Sequence, residues 1–432
     1  MINRICAFGQ DVALGFCFSF LVAFGGCGGP QSSLPSGSGI TYWRTLSGAA
    51  GDAQDTLVAR FNEQHPDTKV TSEFQGSYSD LATKLLTAAA ARRGPQVTQL
   101  GTFEIRQFAK SGVLVDLKPL MNGPNGLDTS GWSGTLIAAG EIDGGVYWLP
   151  FNVAVPVLYY NQDAFTDAGL SGPPETWADF FSYARKLTRR GDKDAVQMSG
   201  LALWNITWPL LSMFWSEGGE LTNRDYTNIT LNDPVAVRLL TELQSLVREG
   251  AATLPDKASG GHRAAFLSGR AAMILDSQDA FSEVFTQATG FTPALANYPA
   301  GAKGKVYAPG GGGLAILANT TPKQRETAWA FIRHMISPES IAYYARESGY
   351  VAFTEESRRA AGDLLQDPRH ATIHEALPFL RADYSVNMSP AVRNAFDEAF
   401  QKILVQNADV QATLDAADTR AEAAVKEELT AH

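Results

Sequence analysis

Two histidines of this chain have the spacing of a metal site. His370 and His374 lie four residues apart, which places both on one face of a helix. No cysteine of the chain follows residue 27, so a thiolate could not join them, and Glu375 lies off that face. We therefore expect no metal ion at this pair.

A run of four glycines at residues 310–313 could cradle a phosphate, because backbone N–H groups come close to a ligand where no side chain intervenes. The run lacks the Lys-Ser/Thr pair that completes a nucleotide-binding loop, and an apolar run follows at residues 314–317. A tight turn or a close approach of backbone to ligand fits the pattern better than a nucleotide loop.

Catalytic motifs are missing from the sequence. It contains neither a G-x-S-x-G elbow nor an H-E-x-x-H motif. Its 45 acidic residues make chance carboxylate pairs plentiful, and no spacing singles out a pair for glycoside hydrolysis. We expect a protein that is not an enzyme and that uses no cofactor.

Aromatic side chains offer the remaining chemistry, since the flat face of a tryptophan can pack against the C–H groups of a sugar ring. At 3.6 residues per turn, Trp204, Trp208 and Leu211 share one helical face, which favours a position in the core for these two tryptophans. Trp215 precedes a glycine pair at a helix end and is the better candidate for the wall of a ligand pocket.

Composition and charge exclude several classes of protein. The 432 residues are 45% hydrophobic and 19% charged, which is typical of a folded chain with more than one core. The net charge of −10 without a long Lys/Arg run disfavours binding to nucleic acid or to anionic lipid. The three cysteines are Cys6, Cys17 and Cys27, which excludes a disulfide framework and a cysteine nucleophile from the folded body.

The N-terminal segment has the pattern of a secretion signal followed by a linker. An apolar run at residues 12–24 is too short to span a membrane and fits a signal peptide over residues 1–26. Cys27 follows two glycines, as in a bacterial lipobox, so we expect lipidation of Cys27; a plain signal peptide with a chance cysteine is the alternative. Residues 27–39 are rich in Gly, Pro and Ser and predict a flexible linker. The expected location is extracytoplasmic, in the periplasm or at the cell surface, with the membrane contacted only through the lipid anchor.

Apolar runs alternate with amphipathic helical patterns along the rest of the chain, which predicts an α/β fold with largely parallel sheets. Residues 40–46 and 69–74 are predicted strands on either side of a helix at residues 52–64. A long apolar run at residues 146–161 contains two prolines. Because proline interrupts a ladder in a central strand, we expect this run to pass from one structural unit to another.

Seven segments carry a family resemblance. They are YWRTLSGAAGD from residue 42, FQGSYSDL from 74, LPFNVAVPVLYYNQDAF from 149, PETWADF from 174, FLSGRAAMI from 266, APGGGGLAIL from 308 and ESGYVAFT from 347. In this order and spacing the chain resembles the extracellular solute-binding proteins of carbohydrate-type ABC importers, the maltose-binding-protein-like superfamily. Within that group it is most similar to the glycerol-3-phosphate-binding branch.

The resemblance implies a two-lobed periplasmic-binding-protein fold of type II, an α/β fold with a ligand cleft between domains joined by hinge crossings. It implies an N-terminal lobe of residues 40–152 plus 297–340 and a C-terminal lobe of residues 153–296 plus 341–432. It also implies a monomer that captures a small polyhydroxylated solute and delivers it to an ABC permease driven by a separate ATPase.

The resemblance further implies a set of ligand-binding residues. They are Tyr78, Glu104, Trp215, Asp276, Ser277, Gly311, Gly312, Tyr350 and Tyr384. The aromatic members would form walls and donate hydroxyl hydrogen bonds, and the carboxylate of Glu104 would accept strong hydrogen bonds from ligand hydroxyls.

The chain departs from the phosphate-binding branch at two places. Val153 and Ala154 replace serines of that branch, and residues 383–387 lack its phosphate-gripping arginine, although Arg381 lies close by in sequence. Because an arginine and a hydroxyl are what fix a phosphate oxygen, the expected ligand is a neutral sugar, oligosaccharide or polyol. Glycerol 3-phosphate or a glycerophosphodiester bound in the same fold is the alternative, and an exported glycosidase is an alternative of another class.

Overall fold

A computed structural model describes residues 39–204, 206–222, 228–255, 261–381 and 390–430. Among these residues, no helix combines the length and the apolar character needed to cross a membrane. The predicted signal peptide, the lipidation site Cys27 and the predicted ligand-binding residue Tyr384 lie outside the described residues.

The strands and helices alternate along most of the described chain. The strands are β1 (Ile40–Arg44), β2 (Val70–Phe74), β3 (Val97–Gly101), β4 (Glu141–Ile142), β5 (Gly145–Val146), β6 (Leu149–Ala154), β7 (Pro156–Asn161), β8 (Arg189–Arg190), β9 (Val196–Met198), β10 (Leu201–Ala202), β11 (Ala252–Thr253), β12 (Met273–Ser277), β13 (Pro293–Asn297) and β14 (Gly310–Ile316). The α-helices are α1 (Gly48–Gln64), α2 (Tyr78–Ala90), α3 (Ile105–Lys110), α4 (Lys118–Met121), α5 (Gly134–Ala138), α6 (Gln162–Asp167), α7 (Trp177–Leu187), α8 (Trp208–Ser216), α9 (Pro234–Arg248), α10 (Gly261–Leu267), α11 (Phe281–Gln287), α12 (Pro322–Met335), α13 (Pro338–Ser348), α14 (Glu355–Ala360), α15 (Pro368–His374), α16 (Pro390–Val405) and α17 (Val410–Thr430).

The first lobe is built on a five-stranded sheet of order β2-β1-β3-β14-β6. β1 pairs in parallel with β2 and β3, as expected where helices connect successive strands. β14 runs antiparallel to both β3 and β6, because it returns from the other lobe. Helix α1 begins at Gly48, four residues before the predicted start, and buries Leu57 and Phe61 against the sheet.

The second lobe is built on another five-stranded sheet, of order β11-β10-β12-β7-β13. β10 pairs in parallel with β11 and β12, whereas β7 runs antiparallel to β12 and β13. Helices α16 and α17 pack on α9 in this lobe. Gln244 of α9 is buried and donates to the backbone carbonyls of Ile403, at 2.9 Å, and Ala408, at 2.8 Å.

The chain passes from the first sheet to the second between β6 and β7, within the run of residues 146–161. Pro156 is the first residue of β7, a position where a missing N–H is tolerated. Val155 lies between the two strands and is held by Gln278. The Val155 N–H donates to Gln278 Oε1 at 2.7 Å, and the Gln278 N–H donates to the Val155 carbonyl at 3.1 Å.

The first lobe continues beyond residue 340, where the sequence predicted the boundary. Helix α13 packs on α1, and the ring of Tyr344 lies 4.7 Å from that of Phe151 in β6. Helix α14 packs on α13, and only α15 packs on β13 of the second lobe. The chain therefore returns to the second lobe between α14 and α15, at residues 361–367. The return comes after residue 340 because the apolar face of α13 is buried against α1 of the first lobe.

Candidate ligand-binding site

A cavity of about 610 Å³ is lined by residues of both lobes. The first lobe contributes the end of β3, the start of α2 and the glycines that open β14. The second lobe contributes the segment before α8, the end of β12 and the first two turns of α16. The predicted ligand-binding residues that line it are Tyr78, Glu104, Ser277, Gly311 and Tyr350.

Tyr78 lies at the first turn of α2, where the chain is held by a capping box. The side chain of Ser77 accepts from the Asp80 N–H at 3.2 Å, and the Asp80 carboxylate accepts from the Ser77 N–H at 2.9 Å. A buried chain of amides fixes the phenol: Asn152 Nδ2 donates to the Tyr78 hydroxyl, and Gln99 Nε2 donates to Asn152 Oδ1, both at 2.8 Å. Burial raises the pKa of Tyr78, so its hydroxyl stays protonated.

Glu104 of the first lobe faces Arg393 of α16 across the cavity. Arg393 Nη1 donates to Glu104 Oε1 at 3.3 Å, and the guanidinium lies 5.4 Å from the ring centre of Phe103. Burial raises the pKa of Glu104, and the nearby Arg393 only partly offsets that rise. Gly101 leaves room for this carboxylate, because a Cβ there would meet Glu104 Oε2 and force that side chain to shift.

The charged side chains among the described lining residues are predominantly acidic. They are Glu104, Asp279, Asp397 and Arg393, so three acids surround one base. Asp397 accepts a hydrogen bond from the hydroxyl of Thr207, and Asp279 accepts one from Arg263 at 3.0 Å. Burial raises the pKa of Asp279, although Arg263 opposes that rise. The cavity is therefore better suited to hydroxyl groups than to a free anion.

Trp204 and Trp208 both line the cavity, although Trp208 is also buried in the core, as expected, and Trp204 packs against that core. Their ring centres lie 6.1 Å apart at 77°, and Trp208 Nε1 donates to the Pro309 carbonyl at 3.2 Å. The two residues do not share a helical face, because α8 begins only at Trp208.

Trp215 does not line the cavity, in contrast to its expected role as a wall. It is 2% exposed in the last turn of α8, and every residue of that helix is buried. The guanidinium of Arg381 lies 5.0 Å from its ring centre, and Arg381 pairs with Glu220 at 2.8 and 3.0 Å. A helix that is apolar all round packs inside the lobe, so its end does not project into the cleft.

Asp276 is also absent from the lining. Successive side chains of a strand point to opposite faces, so Asp276 points into the second lobe while Ser277 faces the cavity. Gly312 is buried next to the lining residue Gly311, and a Cβ at Gly312 would lie 2.6 Å from the Tyr78 hydroxyl. Glycine at that position allows the phenol to lie against β14.

Sequence reasoning did not single out the charged lining residues of the second lobe, Asp279, Arg393 and Asp397. Arg393 was the easiest of these to predict, because Pro390 marks the start of α16 and places Arg393 in its first turn.

The described residues contain no group of three His, Cys, Asp or Glu side chains arranged to hold a metal ion. His374 instead contacts the backbone carbonyl of His370 through Nδ1 at 2.7 Å.

A cleft between two α/β lobes, lined by aromatic rings and hydrogen-bonding side chains, defines a solute-binding protein of the two-lobed class. The family described as bacterial extracellular solute-binding protein matches residues 47–342, more than half of the chain. The chain therefore belongs to this family.

Curated relatives match nearly the whole chain. The sn-glycerol-3-phosphate-binding periplasmic protein UgpB of Agrobacterium fabrum is 24% identical over 411 residues, which is 90% of this chain and 92% of the relative. The protein of the same name from Pectobacterium atrosepticum is 26% identical over 428 residues, which is 90% of this chain and 91% of the relative.

Solved structures share the fold. UgpB from Mycobacterium tuberculosis in complex with glycerophosphocholine has a TM-score of 0.81 at 24% identity, over 90% of this chain and 99% of that one. An ABC substrate-binding protein from Listeria monocytogenes in complex with cycloalternan has a TM-score of 0.77, also at 24% identity, over 90% of this chain and 99% of that one. The predicted family resemblance and the two-lobed α/β fold are confirmed. Its family membership makes this chain a solute-binding protein.

Proposed function

We propose that the protein binds a neutral polyhydroxylated solute in this cavity, either a sugar, an oligosaccharide or a polyol, and delivers it to an ABC permease driven by a separate ATPase. The main support for this proposal is that Arg393, the one base among the described lining residues, is already paired with Glu104. A phosphate bound to Arg393 would be repelled by the Glu104 carboxylate beside it, whereas a hydroxyl group can donate to the carboxylate and accept from the guanidinium at once.

The aromatic lining supports the same proposal. Trp204 and Trp208 meet edge to face at the cavity, next to the apolar side chains of Ile206 and Leu211. Flat rings beside hydrogen-bonding groups match a sugar, which has an apolar C–H face and a polar rim of hydroxyls. Tyr78, whose hydroxyl stays protonated, adds a hydrogen-bonding group on the opposite lobe.

A glycerophosphodiester is the second candidate, and one observation favours it. Although the expected arginine is missing from residues 383–387, Arg393 places a guanidinium in the cavity. A diester carries a single negative charge, and a cationic head group on it could lie over a tryptophan face near Asp397. The structure of a relative holding glycerophosphocholine, from Mycobacterium tuberculosis, makes this class worth testing directly.

The proposal also covers the location and state of the protein. The lipobox-like Cys27 and the linker after it support an extracytoplasmic lipoprotein that is held at the membrane by its lipid alone. The description of the family as extracellular supports export. We propose a monomer, because a single chain supplies both lobes of the cleft.

A binding screen tests the ligand class. Thermal unfolding of the purified chain is followed with maltose, maltotriose, glycerol, glycerol 3-phosphate and glycerophosphocholine, and each hit is titrated by calorimetry. A ligand present at 100 times its Kd should stabilise the fold by about 2.7 kcal/mol. We expect a response to a neutral compound. A response to glycerol 3-phosphate alone would overturn the proposal, and sustained release of cleaved product would favour the glycosidase.

A further inference from the structure

A cluster of three side chains, centred on a buried carboxylate, lies behind the cavity wall in the second lobe. It consists of His262, Arg263 and Asp276, and none of the three lines the cavity. Arg263 donates to the two carboxylate oxygens of Asp276 at 2.6 and 2.9 Å, and His262 Nε2 lies 2.8 Å from Asp276 Oδ2. Asp276 is 0% exposed and His262 is 3% exposed, so these two side chains are shielded from water, whereas the Arg263 side chain is 20% exposed.

Asp276 is the anionic centre of this cluster. Burial by itself would raise the pKa of Asp276, but hydrogen bonds from His262 and Arg263 outweigh burial and hold that pKa below its usual range. Because the carboxylate can only accept, His262 donates to it from Nε2. This hydrogen bond to Asp276 fixes the orientation of the His262 imidazole ring.

Each member of the cluster contacts one residue of the cavity lining. The ring of His262 stacks on Trp204, with centres 5.0 Å apart and planes at 13°. Asp276 Oδ1 accepts from the Ser277 N–H at 2.6 Å, and Arg263 Nη2 donates to Asp279 Oδ1 at 3.0 Å.

The position of Trp204 depends strongly on its contact with His262. Trp204 precedes α8 and lies in a segment without regular structure, so no helix fixes its backbone. The rings in contact with it are His262, which covers one face, and Trp208, which meets it edge to face. One face of the indole is therefore packed while the residue still lines the cavity.

We infer that His262, Arg263 and Asp276 are positioning residues that orient Trp204, Ser277 and Asp279 for solute recognition. The inference rests on the proposed function for its ligand. The inference also explains why Asp276, which precedes Ser277, is an acid although its side chain does not line the cavity. The three contacts act together, since all pass through the one carboxylate of Asp276.

Substitution of His262 separates a positioning role from a general contribution to stability. His262→Ala removes both the stacked ring and the hydrogen bond, whereas His262→Phe keeps a ring against Trp204. His370→Ala is the matched control, because His370 is similarly buried, at 9% exposure, and its ring packs 4.2 Å from that of Phe281 in the same lobe. Asp276→Asn is a further variant of similar shape in case His262→Ala fails to fold.

The first readout needs no ligand. The chain is labelled with 5-fluorotryptophan, and the Trp204 signal is assigned in the ¹⁹F NMR spectrum by its loss in Trp204→Phe. We expect His262→Ala to shift and broaden this signal while the other tryptophan signals stay in place. His262→Phe should restore a sharp signal, and His370→Ala should leave it unchanged. An unchanged Trp204 signal in both His262→Ala and Asp276→Asn would overturn the inference.

The second readout is affinity for maltotriose and for glycerophosphocholine, measured by calorimetry. For whichever compound binds the unaltered chain, we expect Kd to rise about tenfold in His262→Ala and less than about threefold in His262→Phe. An equal loss in His370→Ala would show a merely structural effect and refute the positioning role. If neither compound binds the unaltered chain, the proposed ligand class loses support, while the fluorine signal still decides the role of His262.

Discussion

Replacement of Glu104 by glutamine should raise the affinity of the cavity for anions. The substitution keeps the size and the hydrogen-bonding shape of the side chain but removes one negative charge. In the unaltered chain Glu104 Oε1 lies 3.3 Å from Arg393 Nη1, so the guanidinium is already neutralised. In Glu104→Gln, Arg393 keeps a neutral partner and its charge becomes available to a phosphate.

The geometry sets the size of the expected change. A phosphate oxygen bonded to Arg393 would lie about 5 Å from the Glu104 carboxylate, where two unit charges repel by about 3 kcal/mol at an effective dielectric of about 20. The Glu104 side chain is 10% exposed and that of Arg393 is 24% exposed, so solvent screens part of this repulsion. Relief of about 1.5 to 3 kcal/mol corresponds to a gain of roughly 10- to 100-fold in anion affinity.

Calorimetric titration with inorganic phosphate and with glycerol 3-phosphate measures this gain. Asp55→Asn is the matched control, because it removes the same charge from an Arg–Asp pair of the first lobe that lies outside the cavity, at 2.5 Å from Arg44. Only Glu104→Gln should gain affinity, and adding Arg393→Gln to it should abolish the gain. An equal gain in Asp55→Asn, or none in Glu104→Gln, would refute the reasoning.

Three further outcomes are expected. Trp204→Ala should weaken binding of a neutral sugar about tenfold in calorimetry, whereas Trp215→Ala should leave Kd nearly unchanged and lower the urea-derived free energy of unfolding by about 3 to 5 kcal/mol. Asn152→Leu should lower that free energy by about 1 to 3 kcal/mol, because Tyr78 and Gln99 lose a buried partner; an unchanged urea midpoint would contradict this. Burial lowers the pKa of His374 to about 4, so the unfolded chain binds the extra proton as the pH falls from about 6.5 towards 4 and stability is lost there. His374→Gln should reduce this loss by up to about 3 kcal/mol, measured as the difference between urea titrations at pH 7 and pH 4.5, and an identical loss in both chains would disprove it.

Several parts of the molecule were predictable because their signal is local. The two prolines of residues 146–161 indicated the passage between the lobes, since proline is tolerated in a sheet only on an edge strand such as β6 or at the first residue of a strand, as in β7. The order of the seven segments indicated the family and therefore the two-lobed fold. Tyr78, Gly311 and Tyr350 belong to those segments, and each of them lines the cavity.

The errors concern residues whose orientation depends on distant parts of the chain. Helical periodicity placed Trp204 and Trp208 in the core and left Trp215 for the wall, but Trp215 is buried away from the cavity, and Trp204 and Trp208 line it. Periodicity indicates which residues share a face of a helix, and it does not indicate which face turns to the cleft. That choice depends on how α8 packs within the second lobe.

The sequence by itself determined the alternation of strands and helices, the crossing between the lobes, the family and the lack of catalytic motifs. These follow from local composition and spacing. Only the tertiary structure decided that Glu104 meets Arg393, 289 residues further along the chain, and that His262 supports Trp204. Such contacts arise where lobes and layers come together, because the partner of a charged or aromatic side chain is chosen by packing in space and not by distance along the chain.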